Sequence, residues 1–374
     1  MSASEFAEKI RRVVAFLERE ETDAVLLNAQ HNFAWITGGA SNGIDHSREA
    51  GAASILVSRE GRAFLLANNI EMQRMLDEQV RRIELEPIQF SWQHEKASTG
   101  TVREAVRSAI GSDARLATDI PMFGDTSAID GKLGALRLHL TEEERSRFRD
   151  LGQDASRAMD AAIQAISPGQ SELEIAEALR CEMARRTIVP VVLLVAADER
   201  ISMYRHPLPT GKAWERTLLL VVCARRSGLI ASLSRMVSNG VPDDDLFKRT
   251  EAAASVNASL WNATRSGATG SELYQVAAEA YERSGFGTEI DKHHQGGAAG
   301  YKTREWVAHP ASKDEVVQDQ AFSWNPSVTG TKVEETILFS ENGIEVLTAS
   351  SLFPKIQTTI EGHDHYSSGI LTIN

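Results

Sequence analysis

Two short motifs divide this chain before any other feature needs to be weighed. Thr141 is followed three residues later by Glu144, and Ser171 by Glu174, each pair standing at the head of a helical run. That spacing is the capping-box signature, in which hydroxyl and carboxylate satisfy backbone N–H groups left open at a helix start. It predicts a long helix from 142 to about 166, stopped by Ser167-Pro168-Gly169, and a second from 172 to about 186. Upstream, strand-like runs at 24–27, 52–57, 62–66, 82–85 and 115–119 are interspersed with helical periodicities at 4–21, 69–77 and 102–110. This alternation predicts an α/β domain over 1–139. The remainder, 140–374, adds helices near 243–266 and 271–284 to strands near 189–196, 217–222, 229–234, 336–339 and 344–348, an α+β pattern.

The 374 residues suffice for two cores. A net charge of -12 gives nucleic acid or an anionic membrane no electrostatic help, so neither is expected as a partner. Cys181 and Cys223 form no CxxC pair and no disulfide framework, which fits a reducing cytoplasm. No apolar run reaches the roughly 18 residues of a membrane span. The charged N-terminal segment has no apolar core of a signal peptide. A soluble cytoplasmic protein is the expectation.

Several segments then carry a resemblance, and it covers nearly the whole chain. Ile166-Ser167-Pro168-Gly169-Gln170-Ser171-Glu172, Arg205-His206-Pro207-Leu208-Pro209-Thr210, His294-Gln295-Gly296-Gly297 and Lys332-Val333-Glu334-Glu335-Thr336 with Glu341–Thr348 occur in the order seen in creatinase, prolidase and aminopeptidase P. Asn32-Phe33-Ala34-Trp35-Ile36-Thr37-Gly38 is similar to a segment of creatinase-like N-terminal domains. The resemblance implies an α/β creatinase-like N-terminal domain, an α+β pita-bread C-terminal domain and a homodimer.

It also implies where the chain departs from the family. Metal-dependent members hold two ions with Asp, Asp, His, Glu and Glu, and adjacent divalent ions need bridging carboxylates. The matching positions here are Val221, Ser232, His294, Asn325 and Glu334, the first two eleven residues apart. Only His294 and Glu334 keep a ligand type, so no metal cofactor is expected. An unconventional site around His293, His294, His309, Glu334 and Glu335 is disfavoured because neighbours on a strand face opposite ways.

His206 matches the histidine that shuttles a proton in metal-free creatinase, a task suited to an imidazole. Tyr301 falls where metallopeptidases place a transition-state histidine, and a phenol can donate to an oxyanion. Glu334 completes the catalytic set. The creatinase glutamates that grip a guanidinium correspond to Ser234 and Asn325, which disfavours creatine. Arg225, Arg226, Arg235, Lys302, Arg304 and Lys332 surround the expected cavity and predict an anionic ligand. Arg48, with Asn32 and His46, lies in the region that reaches a neighbouring active site in creatinase-type dimers. Substrate contacts are thus expected from Arg48, Ser232, Ser234, Arg235, His294, Arg304 and Asn325, while Cys223, following an apolar strand, reads as a buried thiol. Three functions compete: a metal-independent hydrolase or lyase acting on a C–N bond of a small anionic molecule, a silent binder of a small molecule or short peptide, and an Xaa-Pro peptidase.

Overall fold

A computed structural model describes residues 2–373 apart from 46, 99, 124, 125 and 127, so the expectation attached to His46 lies outside the described residues. The chain divides into two units, 1–137 and 138–374. In the first, a mixed sheet runs in the order Glu86–Phe90, Ala63–Asn68, Ala50–Ser58, Ala24–Ala29, Leu116–Thr118. The three central strands pair antiparallel and the two outer ones join in parallel. All six residues of Ala24–Ala29 are buried, the apolar run 24–27 as expected of a central strand and Asn28 with its side chain hydrogen-bonded to Ser54.

Two expectations for this unit are corrected. The strand anticipated at 82–85 lies at Glu86–Phe90, where Pro87 has no N–H to give; only an edge strand tolerates that. Asn32 is fully buried on the Gln30–Ile36 helix and donates to Asp119 and Asp130 at 3.0 and 2.9 Å. It holds this unit together and is not available to a ligand.

The second unit opens with both anticipated helices, Glu142–Gln164 and Glu172–Ala184, each with its capping box formed. A third box, Thr269 with Glu272, starts Gly270–Arg283. A long hairpin joins Thr217–Arg226 to Leu229–Asn239 through Ser227 and Gly228, both at positive φ. Its register sets Val221 opposite Ser234 and Cys223 opposite Ser232. This hairpin is the centre of a four-stranded sheet, with Val189–Ala197 on one edge and Ile370–Ile373 on the other. A second, antiparallel sheet runs Trp306–Val307, Gly296–Ala299, Gln320–Trp324, Glu335–Ser340, Gly343–Val346. An isolated bridge between Ser234 and Glu334 ties the two sheets together.

The glycine pair after His294 serves this second sheet. Gly296 has φ +103°, and a Cβ there would stand 2.1 Å from the Ser323 carbonyl oxygen. One on Gly297 would meet the Trp306 carbonyl at the same distance. Trp261, Leu273 and Tyr281, from the helices Asp244–Ala263 and Gly270–Arg283, pack with Phe322 and Trp324 of the sheet in one buried core. Among the described residues no helix is long and apolar enough to cross a membrane.

The caps supply a first test. Thr141→Ala and Ser171→Ala are each expected to lower unfolding free energy by about 1 kcal/mol, read as a shifted urea midpoint with unchanged slope. An unchanged midpoint would show that neither box contributes.

Candidate active site

The hairpin register and the sheet-to-sheet bridge bring distant residues around one cavity of about 280 Å³ in the second unit. Val192, Leu194, Val221 and Cys223 form its apolar wall. His206, His294, Asn325, Lys332 and Glu334, with the Thr303–Arg304 loop, supply the polar side. Four of the five positions that correspond to metal ligands, Val221, His294, Asn325 and Glu334, therefore line it together. The fifth, Ser232, is fully buried just behind, its hydroxyl 3.2 Å from Cys223 Sγ and 3.4 Å from Arg304 Nη1.

Glu334 is the only carboxylate in this lining, and cations hold both of its oxygens. Lys332 Nζ lies 3.0 Å from Oε2 and Arg304 Nη2 lies 3.3 Å from Oε1, while Ser234 Oγ donates to Oε2. Burial alone would raise its pKa, yet Lys332 and Arg304 together hold it below the ordinary carboxylate range. One negative charge thus faces two positive ones. This donor set does not fit a pair of divalent ions: the carboxylates that would offset dehydration are replaced by a valine, a serine and an amide, and the survivor is already neutralised.

Three imidazoles gather here, His206 and His294 in the cavity lining and His293 packed against both. His206 follows the short Arg200–Met203 helix, and the neighbouring Arg205 pins its loop by bonding Ser327 and Thr329 at 2.9 Å and pairing with Glu289. His206 Nε2 lies 3.1 Å from His293 Nε2. The His293 and His294 rings stack with centroids 4.5 Å apart. They do not face opposite ways, because they sit between the Gly287–Lys292 turn and the strand that starts at Gly296, outside the strand's alternation. Desolvation, reinforced by Lys332, pushes the His293 pKa down to about 2; desolvation with Arg304 takes His294 to about 4. His206 is lowered by the same causes, burial and then Lys332. The Cys223 thiol is raised by burial and by Glu334, so it stays protonated and is no nucleophile.

Several anticipated site residues have other roles. Tyr301 is buried, and its hydroxyl donates to Glu144 Oε1 at 2.7 Å, against the capping box of the first helix. It is a packing residue and does not face the cavity. Arg235 is 1 % exposed and spends its guanidinium on Glu335 (2.9 and 3.2 Å) and the carbonyls of Thr348 (2.6 Å) and Ser234 (2.8 Å). It binds structure, not substrate. Ser234 reaches the site only through Glu334. Arg226 pairs with Asp154. Arg48 is an exposed residue of the first unit, its carbonyl accepting from Gln30. Sequence reading set His293 aside on strand alternation, and it missed Val192 and Leu194 as cavity residues. The His-His pair was a visible signal for the first, and the continuous apolar run at 189–197 for the others.

Arg235→Met removes one partner of a buried pair. It is expected to cost about 3–5 kcal/mol of unfolding free energy, seen by chemical denaturation. A loss below about 1 kcal/mol would place the pair among surface-like contacts.

Residues 146–345 match the model of metallopeptidase family M24, and 9–123 match the creatinase/prolidase N-terminal domain. An Xaa-Pro dipeptidase of Pyrococcus horikoshii is 22 % identical over 354 residues, covering 91 % of this chain and 97 % of its own. The solved prolidase from Pyrococcus horikoshii OT3 superposes with a TM-score of 0.75 at 20 % identity, over 92 % of this chain and 99 % of that one. The N-terminal domain of FACT complex subunit SPT16 from chickpea shares the fold too, with a TM-score of 0.69 at 11 % identity, over 93 % and 97 %. More than half of the residues fall within the peptidase-family match, and a creatinase/prolidase-type domain precedes it. The chain belongs to metallopeptidase family M24, as a creatinase/prolidase-like member with the pita-bread fold.

Proposed function

We propose that this chain hydrolyses the C–N bond of a small carboxylate-bearing amino-acid derivative without the family's binuclear metal centre, with His206 moving the proton. The observation that carries the reading is the pairing of two cavity cations with one carboxylate. Lys332 and Arg304 together exceed Glu334 by one positive charge in the cavity lining, where their side chains are only 6 % and 11 % exposed. An anionic substrate group completes that balance. Asn325 Oδ1 is buried with no hydrogen-bond partner among the described residues, and so is free to accept from a substrate N–H. Val192, Leu194 and Val221 give the rest of the molecule an apolar wall.

In this arrangement His206 enters the cycle neutral, takes a proton from the attacking water and returns it to the leaving nitrogen. His294 and Asn325 orient the scissile group. The first unit's Arg48, a homodimeric assembly and a cytoplasmic setting are parts of the same proposal, taken from the family resemblance.

A second reading narrows the substrate. A relative from Pyrococcus horikoshii that aligns over 91 % of this chain is named an Xaa-Pro dipeptidase, and a dipeptide is itself a small molecule with an amide C–N bond and a terminal carboxylate. Xaa-Pro dipeptides are therefore the first compounds to try, alongside N-acyl and amidine derivatives of amino acids.

The test is turnover of such a panel by metal-free protein with a chelator present. His206→Ala is expected to lower turnover by roughly 10²–10⁴-fold. Lys332→Gln is expected to weaken carboxylate-bearing ligands selectively, read as a smaller rise in melting temperature. Activity that appears only with added manganese or cobalt would overturn the metal-free reading. A panel in which only cationic compounds stabilise the protein would overturn the anionic substrate.

A further inference from the structure

The three histidines offer something that neither the family pattern nor the acid/base role calls for. One ring nitrogen from each of His206, His293 and His294 lies within 4.8 Å of one from each of the others. The His206–His293 separation, 3.1 Å, is close to the roughly 3.3 Å between nitrogens that share a tetrahedral zinc ion with bonds of about 2.0–2.1 Å. His206 and His294 are exposed enough to turn, so closing the longer separation needs side-chain rotation only. The His293 ring lies between them, with centroids at 4.9 Å to His206 and 4.5 Å to His294. Its Nδ1 is buried without a hydrogen-bond partner among the described residues.

We propose that His206, His293 and His294 together bind a single zinc-class divalent ion, with a fourth position open to water or an anion, and that this ion blocks the proton transfer proposed for His206. Three neutral nitrogen donors without a carboxylate favour copper, nickel, zinc and cobalt over manganese or magnesium. The charges facing the cluster point the same way. Lys332 and Arg304 leave one uncompensated positive charge nearby, and Glu289 is shared between Arg205 and Lys292, which leaves a second. A hard ion that depends on charge attraction is repelled; one held by strong nitrogen bonds is retained with reduced affinity. The blocking half of this inference rests on the proposed function, whereas the binding half stands on the cluster alone.

Cobalt(II) titrated into the metal-free full chain reads the binding directly, through the visible absorption of a low-symmetry nitrogen site. Calorimetry with zinc gives the stoichiometry. One equivalent is expected for each metal, and none for magnesium. Loss of an outer partner of a metal site costs roughly 10–100-fold in affinity, so loss of a ligand by His293→Gly should cost at least about 100-fold. His294→Asn gives the same reading if the glycine variant fails to fold. Glu334→Gln should keep one equivalent bound. No cobalt band, undiminished binding in both histidine variants, or loss of binding in Glu334→Gln would each overturn the site. With a substrate in hand, one equivalent of zinc should halt turnover and a chelator should restore it. Zinc that binds but accelerates turnover would leave the site standing and overturn the acid/base reading of His206.

Discussion

The site in the second unit depends on the buried pair between Arg235 and Glu335. These side chains come from different sheets, are essentially inaccessible to solvent, and meet through two parallel hydrogen bonds. Thr348 and Ser368 donate to the remaining carboxylate lone pairs at 2.6 and 2.7 Å. Replacing such a pair with well-packed apolar residues is often neutral for stability; removing one partner is not. Its importance here is positional. With Arg235 anchored, Ser234 is forced into the bridge with Glu334, and Ser232 exchanges hydrogen bonds with Thr336 at 2.7 and 2.8 Å. Glu334 then points into the cavity because Glu335, its neighbour on the chain, points into the core.

That alternation explains which parts of the site were legible beforehand. Val221, Ser232, His294, Asn325 and Glu334 were located from glycine turns and short runs of residues, and strand geometry preserved what the spacing implied. Tyr301 and Arg235 were misread for one reason. Both stand at positions adjacent to the cavity along the chain, but nothing in a local motif says which side of a loop or strand a side chain takes. Tyr301 turns to Glu144, 157 residues earlier, and Arg235 to Glu335, 100 residues later. Partners so remote are set by packing. The His293–His294 stack was misread in the opposite sense, by applying strand alternation to two residues that precede the strand.

The fold itself was more readable, because its strongest signals are local. The two anticipated capping boxes start their helices where the Thr-x-x-Glu and Ser-x-x-Glu spacings put them. The strand near residue 85 is displaced by a few positions because edge strands carry weak patterns, and Pro87 is a residue that only the sheet's edge accommodates. Gly296 and Gly297 were legible only as part of a short motif; the physical reason for them is that neighbouring carbonyls crowd both positions and demand the absence of a side chain.

The shared grip of Lys332 and Arg304 on Glu334 bears on how such a chain can change. A carboxylate restored singly at 221 or 325 would enter a cavity already holding surplus cations, and its nearest energetic rest is an ion pair with them. Metal affinity would not grow stepwise with each added acid. A pair of divalent ions would call for added carboxylates and removal of both bases together, because removing the bases alone leaves Glu334 in the interior with no counter-charge. The charges of this cavity are coupled, so no one of the three can be exchanged without changing what the other two must pair with.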